Sequence, residues 1–263
     1  MRDPVTGFLY PNDWVTKVKD SRERDLVAGG FAILTASGTV LRRGYTTGTT
    51  AAAACKAAIF SLDHDVSQVT IHLPCGLVAG VPVTAHAGHA SCRKYAGDYP
   101  SDVTAGIEFV ADAVSAPDGL TLVPGPGIGR FARDTPRYKK EAPAISDAPL
   151  SCILASMQEA ISDTGISGAT VTLSIPEGAR IAHKTLNPRV GVEGGISVLG
   201  STGLVEPWDV HLEESVQVRV AGAKKVVLTT DRIGLRYSRL LFPDHEIVLV
   251  GGRIKEALSA TKS

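Results

Sequence analysis

The stretch TTGTTAAAACKAAIF at positions 46–60 predicts a helix that begins in a cluster of hydroxyl side chains. Threonine is favoured at the N-cap of a helix, and the alanine run continues through Cys55, Lys56 and Ile59. The stretch contains a lysine and is too short to span a bilayer. We therefore expect a helix of a water-soluble chain.

The start of this helix has two interpretations. Residues 46–49 supply hydroxyls and unpaired backbone N–H groups, which together favour a bound anion, and Arg43 and Lys56 flank them. In the second interpretation, the same threonines only cap the helix, and composition alone favours this interpretation.

The spacing of apolar residues predicts further elements of the N-terminal part. They are strands at 69–74, 81–92 and 169–175, a helix at 150–162, and either a strand or a helix at 102–114. A glycine-rich segment follows at 186–207.

The C-terminal part reads as a strand at 226–228, a helix at 234–241 and a strand at 247–250. We therefore predict a mixed α/β fold. A large N-terminal α+β domain is expected at 1–220, and a small Rossmann-like strand–helix–strand portion at 221–263.

Composition limits the class of protein. The 263 residues include 27 Lys and Arg against 27 Asp and Glu, so the formal net charge is zero at pH 7. This neutrality argues against a nucleic-acid binder and against a protein attracted to anionic membranes. The four cysteines form no C-x-x-C pair, which is typical of reduced thiols, and no apolar leader segment is visible. We expect a cytoplasmic globular protein.

Three segments in a fixed order show a family resemblance. They are RGYTTGT at 43–49 with the alanine helix behind it, GDYPSDVT at 97–104, and IAHKTLNPRVGVEGGISVLGSTGLVEP at 181–207. Together they resemble the cobalt-precorrin-5B C1-methyltransferases, the CbiD family. The second segment differs from the family motif, with Tyr99 in place of an aspartate and Ser101 as an insertion. Family members usually continue for several dozen residues beyond the end of this chain.

The resemblance implies an enzyme of anaerobic cobalamin biosynthesis that transfers a methyl group from S-adenosylmethionine to carbon 1 of a cobalt-precorrin tetrapyrrole. Asp98 and Asp102 are the implied acid–base candidates, although residue type alone would make them loop caps. The implied substrate-binding residues are Arg43, Thr46, Thr47, Gly48, Thr49, Lys56, Lys184, Asn187, Arg189, Gly194 and Gly195.

The C-terminal strands indicate where the methyl donor binds. In doubly wound folds a cofactor lies at the carboxyl ends of the strands. Thr229, Thr230 and Asp231 are therefore the candidate positions for a methionine carboxylate or a ribose. Because two strands make a poor sheet, we expect S-adenosylmethionine to bind more weakly than the tetrapyrrole, or to depend on another subunit of a homo-oligomer.

Two other functions stay open. A non-catalytic tetrapyrrole-binding relative would keep the cationic residues without methyl transfer. A metal-binding or chelation-related protein would use the metal-capable residues His72, Cys75, His86, His89 and Cys92. Strand residues three apart face opposite sides, so this set converges only where the backbone turns. We therefore predict no metal site.

Overall fold

The computed structural model describes residues 1–35, 37–99, 102–207, 220–230, 234, 237, 238, 241–251 and 254–260. The chain divides into two compact units, Met1–Pro207 and Trp208–Ser263. Among these described residues, no helix is both long and apolar enough to cross a membrane.

The first unit contains most of the secondary structure. It begins with α1 (Asn12–Val15), α2 (Ser21–Ala28), β1 (Ala32–Leu34), β2 (Val40–Arg42), β3 (Gly44–Tyr45) and α3 (Thr47–Phe60). The elements that follow are β4 (Val66–His72), β5 (Val78–His86), β6 (His89–Arg93), β7 (Glu108–Ser115), β8 (Gly119–Pro124), β9 (Gly127–Ile128), β10 (Arg130–Phe131), α4 (Asp147–Thr164) and β11 (Gly168–Ser174). The unit ends with α5 (Gly178–Ala182), a 3-10 turn (Asn187–Val190), β12 (Val192–Glu193), β13 (Gly195–Ile196) and β14 (Leu204–Val205).

The mixed α/β class predicted from the sequence is confirmed. The helix predicted at 46–60 is α3, which begins after its N-cap Thr46. The helix expected at 150–162 lies within α4, and the ambiguous segment at 102–114 contains most of β7. The single strand expected at 81–92 is wrong, because a turn at Ala87 and Gly88 divides it into β5 and β6.

Six strands form the main sheet in the order β4-β5-β6-β7-β11-β8. All neighbours are antiparallel except β11 and β8, which pair in parallel. Side chains alternate across the sheet: in β5, Val81 is buried whereas Gly80 and Pro82 are exposed. The sheet therefore has one face toward the core and one open face.

Helix α3 is the centre of the core. It packs against five strands of the sheet and against α4, and α4 also contacts both edge strands, β4 and β8. The sheet therefore curls around α3, and α4 covers the remaining side. All residues from 47 to 59 are buried. Alanine makes this possible, because its small side chain lets neighbouring backbones approach closely on every side of a helix.

The second unit is small. Strands β15 (Val226–Thr229) and β16 (Glu246–Leu249) pair in parallel, and helix α6 (Ile254–Ala260) follows them. Its core consists of Val220, Val248, Val250 and Ala257. The predicted helix at 234–241 lies partly outside the described residues. The Rossmann-like arrangement and the boundary near residue 220 therefore stay predictions.

Replacing Ala54 by leucine tests the packing of α3. Ala54 is fully buried, so the larger side chain must displace its neighbours, and we expect the free energy of unfolding to fall by about 1–3 kcal/mol. Urea-induced unfolding followed by circular dichroism measures this change. The same substitution at Ala155, which is exposed on α4, should change stability by less than about 0.5 kcal/mol. An Ala54→Leu variant as stable as the wild type would contradict the central position of α3.

Candidate functional site

The N-terminus of α3 is covered by the segment at 197–203. Thr46 caps the helix by accepting a hydrogen bond from the Thr49 N–H at 3.2 Å. The N–H of Thr46 donates to the Gly203 carbonyl at 3.1 Å, and the N–H of Gly48 donates to the Leu199 carbonyl at 3.0 Å. Two of the three family segments therefore meet here, although they are about 150 residues apart in the chain.

The threonine hydroxyls follow the same pattern. Thr47 Oγ1 accepts from the Leu199 N–H at 2.8 Å, and Thr49 Oγ1 donates to the Gly203 carbonyl at 2.7 Å. These groups already bind protein atoms, as the plain N-cap interpretation requires. A role of Thr46, Thr47, Gly48 and Thr49 in substrate binding stays a prediction, and it would require the 197–203 segment to move away.

Arg43 lies inside the protein with its side chain fully buried. Its Nη2 contacts Asp3 Oδ2 at 2.6 Å, its Nε contacts Glu206 Oε2 at 2.9 Å, and its Nη1 donates to the Gly30 carbonyl at 2.9 Å. Burial lowers the pKa of Arg43, but the hydrogen bonds and charges of the two carboxylates outweigh this and raise it. Arg43 thus joins the N-terminal segment to the end of the unit, and its geometry does not support the predicted contact with substrate.

Lys56 is also buried and paired. Its Nζ donates to Glu159 Oε2 at 2.6 Å and to the Thr70 carbonyl at 2.9 Å. The second oxygen of Glu159 contacts His72 Nδ1 at 3.1 Å. These contacts link α3 to α4 and β4. A contact between Lys56 and substrate therefore stays a prediction without support from this arrangement.

The two acid–base candidates differ in accessibility. Asp98 is exposed, and its Oδ2 accepts from the Arg42 N–H at 2.7 Å. Asp102 forms a buried ion pair with Lys94 and accepts from the Thr104 N–H at 2.9 Å. Burial raises the pKa of Asp102, but the hydrogen bonds from Lys94 and Thr104 outweigh it and hold the pKa below the usual value. A carboxylate held ionised in this way is a weak proton acceptor. The acid–base role of Asp98 and Asp102 stays a prediction.

The Asn-Pro-Arg turn holds a glycine-rich loop in place. Asn187 is buried; its Nδ2 donates to the Gly195 carbonyl at 3.2 Å, and its Oδ1 accepts from Ser197 Oγ at 3.2 Å. Gly195 begins β13, which pairs in parallel with β9. A Cβ atom at Gly195 would overlap the Gly127 carbonyl oxygen, so only glycine permits this approach.

A surface cavity of about 350 Å³ opens beside this pairing. Two glycine-containing segments, at 124–130 and 193–194, form its wall. The lining residues are Pro124, Gly125, Pro126, Gly127, Ile128, Arg130, Glu193 and Gly194. Of these lining residues, the sequence predicted ligand contact for Gly194 alone.

Arg130 lines this cavity, and the sequence carries further cations just before Glu193 and just after Arg130. Lys184 and Arg189 are exposed, and neither side chain has a partner within the described part of the chain. The Ala132 N–H donates to the Gly191 carbonyl at 2.9 Å, and β10 pairs with β12, so the segment at 130–140 lies against the turn that carries Arg189. This segment supplies five more cations, Arg130, Arg133, Arg137, Lys139 and Lys140. The run RFARDTPRYKK at 130–140 is visible in the sequence, but the zero net charge of the whole chain gives no sign of this local concentration of positive charge.

The five histidine and cysteine residues do not converge. Cys92 points into the core, where burial raises the pKa of its thiol to about 12. His86 and His89 instead lie exposed on the open face of the sheet. Within the described ranges, no group of three or more His, Cys, Asp or Glu side chains is arranged to hold a metal ion. The geometry does not support a metal site that uses all five residues.

Of the three positions predicted for the methyl donor, Thr229 ends β15 and Thr230 follows it. Thr229 is buried, and its carbonyl accepts from the Val250 N–H at 2.8 Å. Thr230 is exposed at the next position. Asp231 lies outside the described residues.

The class that this fold and site define is a mixed α/β protein with a glycine-lined surface cavity, to which Arg130 also contributes. The family model described as CbiD matches residues 34–207. The chain belongs to the CbiD family.

Named relatives match the chain over nearly its whole length. The cobalt-precorrin-5B C(1)-methyltransferase of Methanoregula boonei is 73% identical over 262 residues, which cover 100% of this chain and 78% of that protein. The protein of the same name from Methanoculleus marisnigri is 59% identical over 265 residues, covering 100% of this chain and 79% of its own. A crystal structure of a cobalamin biosynthesis protein (cbiD) from Archaeoglobus fulgidus has 37% identity and a TM-score of 0.77, covering 99% of this chain and 86% of that one. The family resemblance seen in the three sequence segments is confirmed.

Replacing Asp102 by asparagine tests the structural role of its ion pair with Lys94. The change leaves the buried Lys94 ammonium without its counter-charge, so we expect a loss of about 3–5 kcal/mol of stability near neutral pH. Because the pKa of Asp102 is lower in the folded protein than its usual 3.8, its contribution is complete above that value and disappears as the pH falls through the folded-state pKa. Urea unfolding at several pH values should show this acid-dependent part in the wild type and not in the variant.

Asp118→Asn is the matched control, since Asp118 is exposed. It should leave both the stability and its pH dependence within about 0.5 kcal/mol of the wild type. A fully stable Asp102→Asn variant would refute the structural role of the pair.

Proposed function

We propose that this chain methylates carbon 1 of cobalt-precorrin-5B in cobalamin biosynthesis, with S-adenosylmethionine as the methyl donor. The whole-length match to relatives with that name carries the proposal. The exposed side chains of Lys184 and Arg189 support it, because such cations suit a substrate with many carboxylates.

The cations define how the substrate would be held. A precorrin ring carries acetate and propionate groups around its edge. Arg189 offers a planar fork that grips a carboxylate through two hydrogen bonds, and Lys184 offers a compact charge. We assign the first carboxylate contacts to these two residues. We assign further carboxylate contacts to Arg133 and Arg137 of the adjacent segment, which are exposed.

Methyl transfer depends on positioning. When bound, S-adenosylmethionine supplies an electrophilic methyl group on a sulfonium. The residues of the chain hold the ring carbon in line with that group, and positioning of this kind can lower a barrier by about 7–11 kcal/mol. Cations at the ring edge fix its rotation, while Gly194, which lines the cavity, has no side chain to keep the ring away from the backbone.

The end of the parallel pair β15–β16 fits a site for the methyl donor. The strands are in register from Val226↔Glu246 to Thr229↔Leu249, so both end at one edge. Ligands of α/β folds bind outside the carboxyl ends of parallel strands. The exposed hydroxyl of Thr230 is available there for a carboxylate or a ribose. The assignment of Thr229 and Asp231 to this site rests on the sequence alone.

Incubation of the purified chain with cobalt-precorrin-5B and S-adenosylmethionine tests the function. Mass spectrometry should detect a tetrapyrrole with one additional methyl group, which should not form when the donor is omitted. Tetrapyrrole binding without transfer would identify a non-catalytic binding protein. Absence of both binding and transfer would overturn the proposal entirely.

The Arg189→Ala variant tests the carboxylate contact. Loss of a charge-assisted hydrogen bond should weaken tetrapyrrole binding by about 1.5–3 kcal/mol, measured by absorbance titration. The thermal midpoint should not change, because the Arg189 side chain has no partner within the described residues.

Arg93→Ala is the control for loss of a surface arginine, since Arg93 is exposed on β6 and pairs with Glu108 at 3.4 Å. It should bind the tetrapyrrole like the wild type. Unchanged affinity of Arg189→Ala would remove Arg189 from the site, and a large fall in its thermal midpoint would assign it a structural role.

A further inference from the structure

The hairpin between β5 and β6 places two histidines side by side. Its turn has two residues, Ala87 at φ 49° and Gly88 at φ 84°. Two consecutive positive φ angles are typical of a type I′ turn, which fixes the register of the strands that it joins. His86 and His89 are therefore directly opposite each other.

Both imidazoles project from the open face of the sheet. Their inner neighbours, Ala85 and Ala90, are buried, so strand alternation directs the two histidines away from the core. The histidine side chains are 79% and 62% exposed. Side chains at directly opposed strand positions have Cβ atoms about 4.5–5.5 Å apart, which allows two imidazoles to reach one ion.

Each imidazole is oriented by its own carboxylate. His86 Nδ1 contacts Asp65 Oδ1 at 2.6 Å, and His89 Nδ1 contacts Asp112 Oδ1 at 2.7 Å. A neutral histidine in such a contact carries its proton on Nδ1, which leaves the lone pair of Nε2 available. Carboxylate partners of this kind orient the histidine ligands of many metal sites.

The backbone of the turn is held firmly. The Gly88 N–H donates to the carbonyl and to the hydroxyl of Ser61 at 3.2 and 3.1 Å, and the Gly88 carbonyl accepts from the Ala113 N–H at 2.7 Å. Ala87 adopts a left-handed conformation that costs energy in a residue with a side chain. The contacts of Gly88 therefore fix the two histidines relative to the sheet before any ligand binds.

We propose that His86 and His89 bind a divalent transition-metal ion through their Nε2 atoms, with Asp65 and Asp112 as orienting partners. Two imidazoles suit zinc, nickel or copper, whereas magnesium and calcium require oxygen ligands. Because the described residues contain no converging group of three ligands, water completes the coordination. This site is separate from the cobalt of the substrate and does not depend on the proposed methyl transfer.

Calorimetric titration of the full, tag-free chain with NiCl₂ or ZnCl₂ tests the site. The wild type should bind one ion, and both His86→Ala and His89→Ala should abolish this binding. His64→Ala is the matched control, since His64 is exposed and contacts Asp63 at 3.1 Å, and it should retain wild-type affinity. Asp65→Asn and Asp112→Asn should each weaken binding about 10–100-fold, the usual effect of losing an orienting partner.

Circular dichroism establishes that each variant is folded, as expected for exposed positions. No binding by the wild type would overturn the proposal. Binding that survives in His86→Ala or His89→Ala would overturn it as well, because a single remaining imidazole cannot form the site.

Discussion

The whole first unit depends on the burial of one alanine-rich helix on all of its sides. Helix α3 can lie inside a curled sheet only because its side chains are small, and its polar start needs partners there because buried N–H groups are costly when unpaired. The segment at 197–203 supplies those partners. It therefore belongs to the framework as much as the sheet does, although its glycines alone suggest a ligand loop.

This constraint sorts the first and third family segments into two groups. The first segment and the end of the third close the helix start, and Arg43 and Lys56 are buried in ion pairs with carboxylates far away in sequence. The beginning of the third segment instead remains at the surface, where Arg189 and the loop at Gly194 face solvent beside the run of cations at 130–140. Substrate recognition is accordingly proposed for this second group.

Elements that depend on local patterns could be predicted from the sequence, whereas the partners of side chains across long sequence separations could not. The threonine cap and alanine run identify α3 because they act within a few residues. The burial of Arg43 could not be predicted from the sequence, because its partners Asp3 and Glu206 lie 40 and 163 residues away. The single strand predicted at 81–92 failed for a local reason: β propensity extends through the segment, and only the alanine–glycine turn divides it.

The central claim is that the tetrapyrrole binds beside the glycine-lined cavity while the start of α3 remains closed. Amide chemical shifts measured by NMR, with and without cobalt-precorrin-5B, test it most directly. The account predicts shifts within 125–140 and 184–195, with the amides of Thr46, Thr47, Gly48 and Thr49 unchanged. Large shifts at those four residues together with none near Arg189 would contradict it.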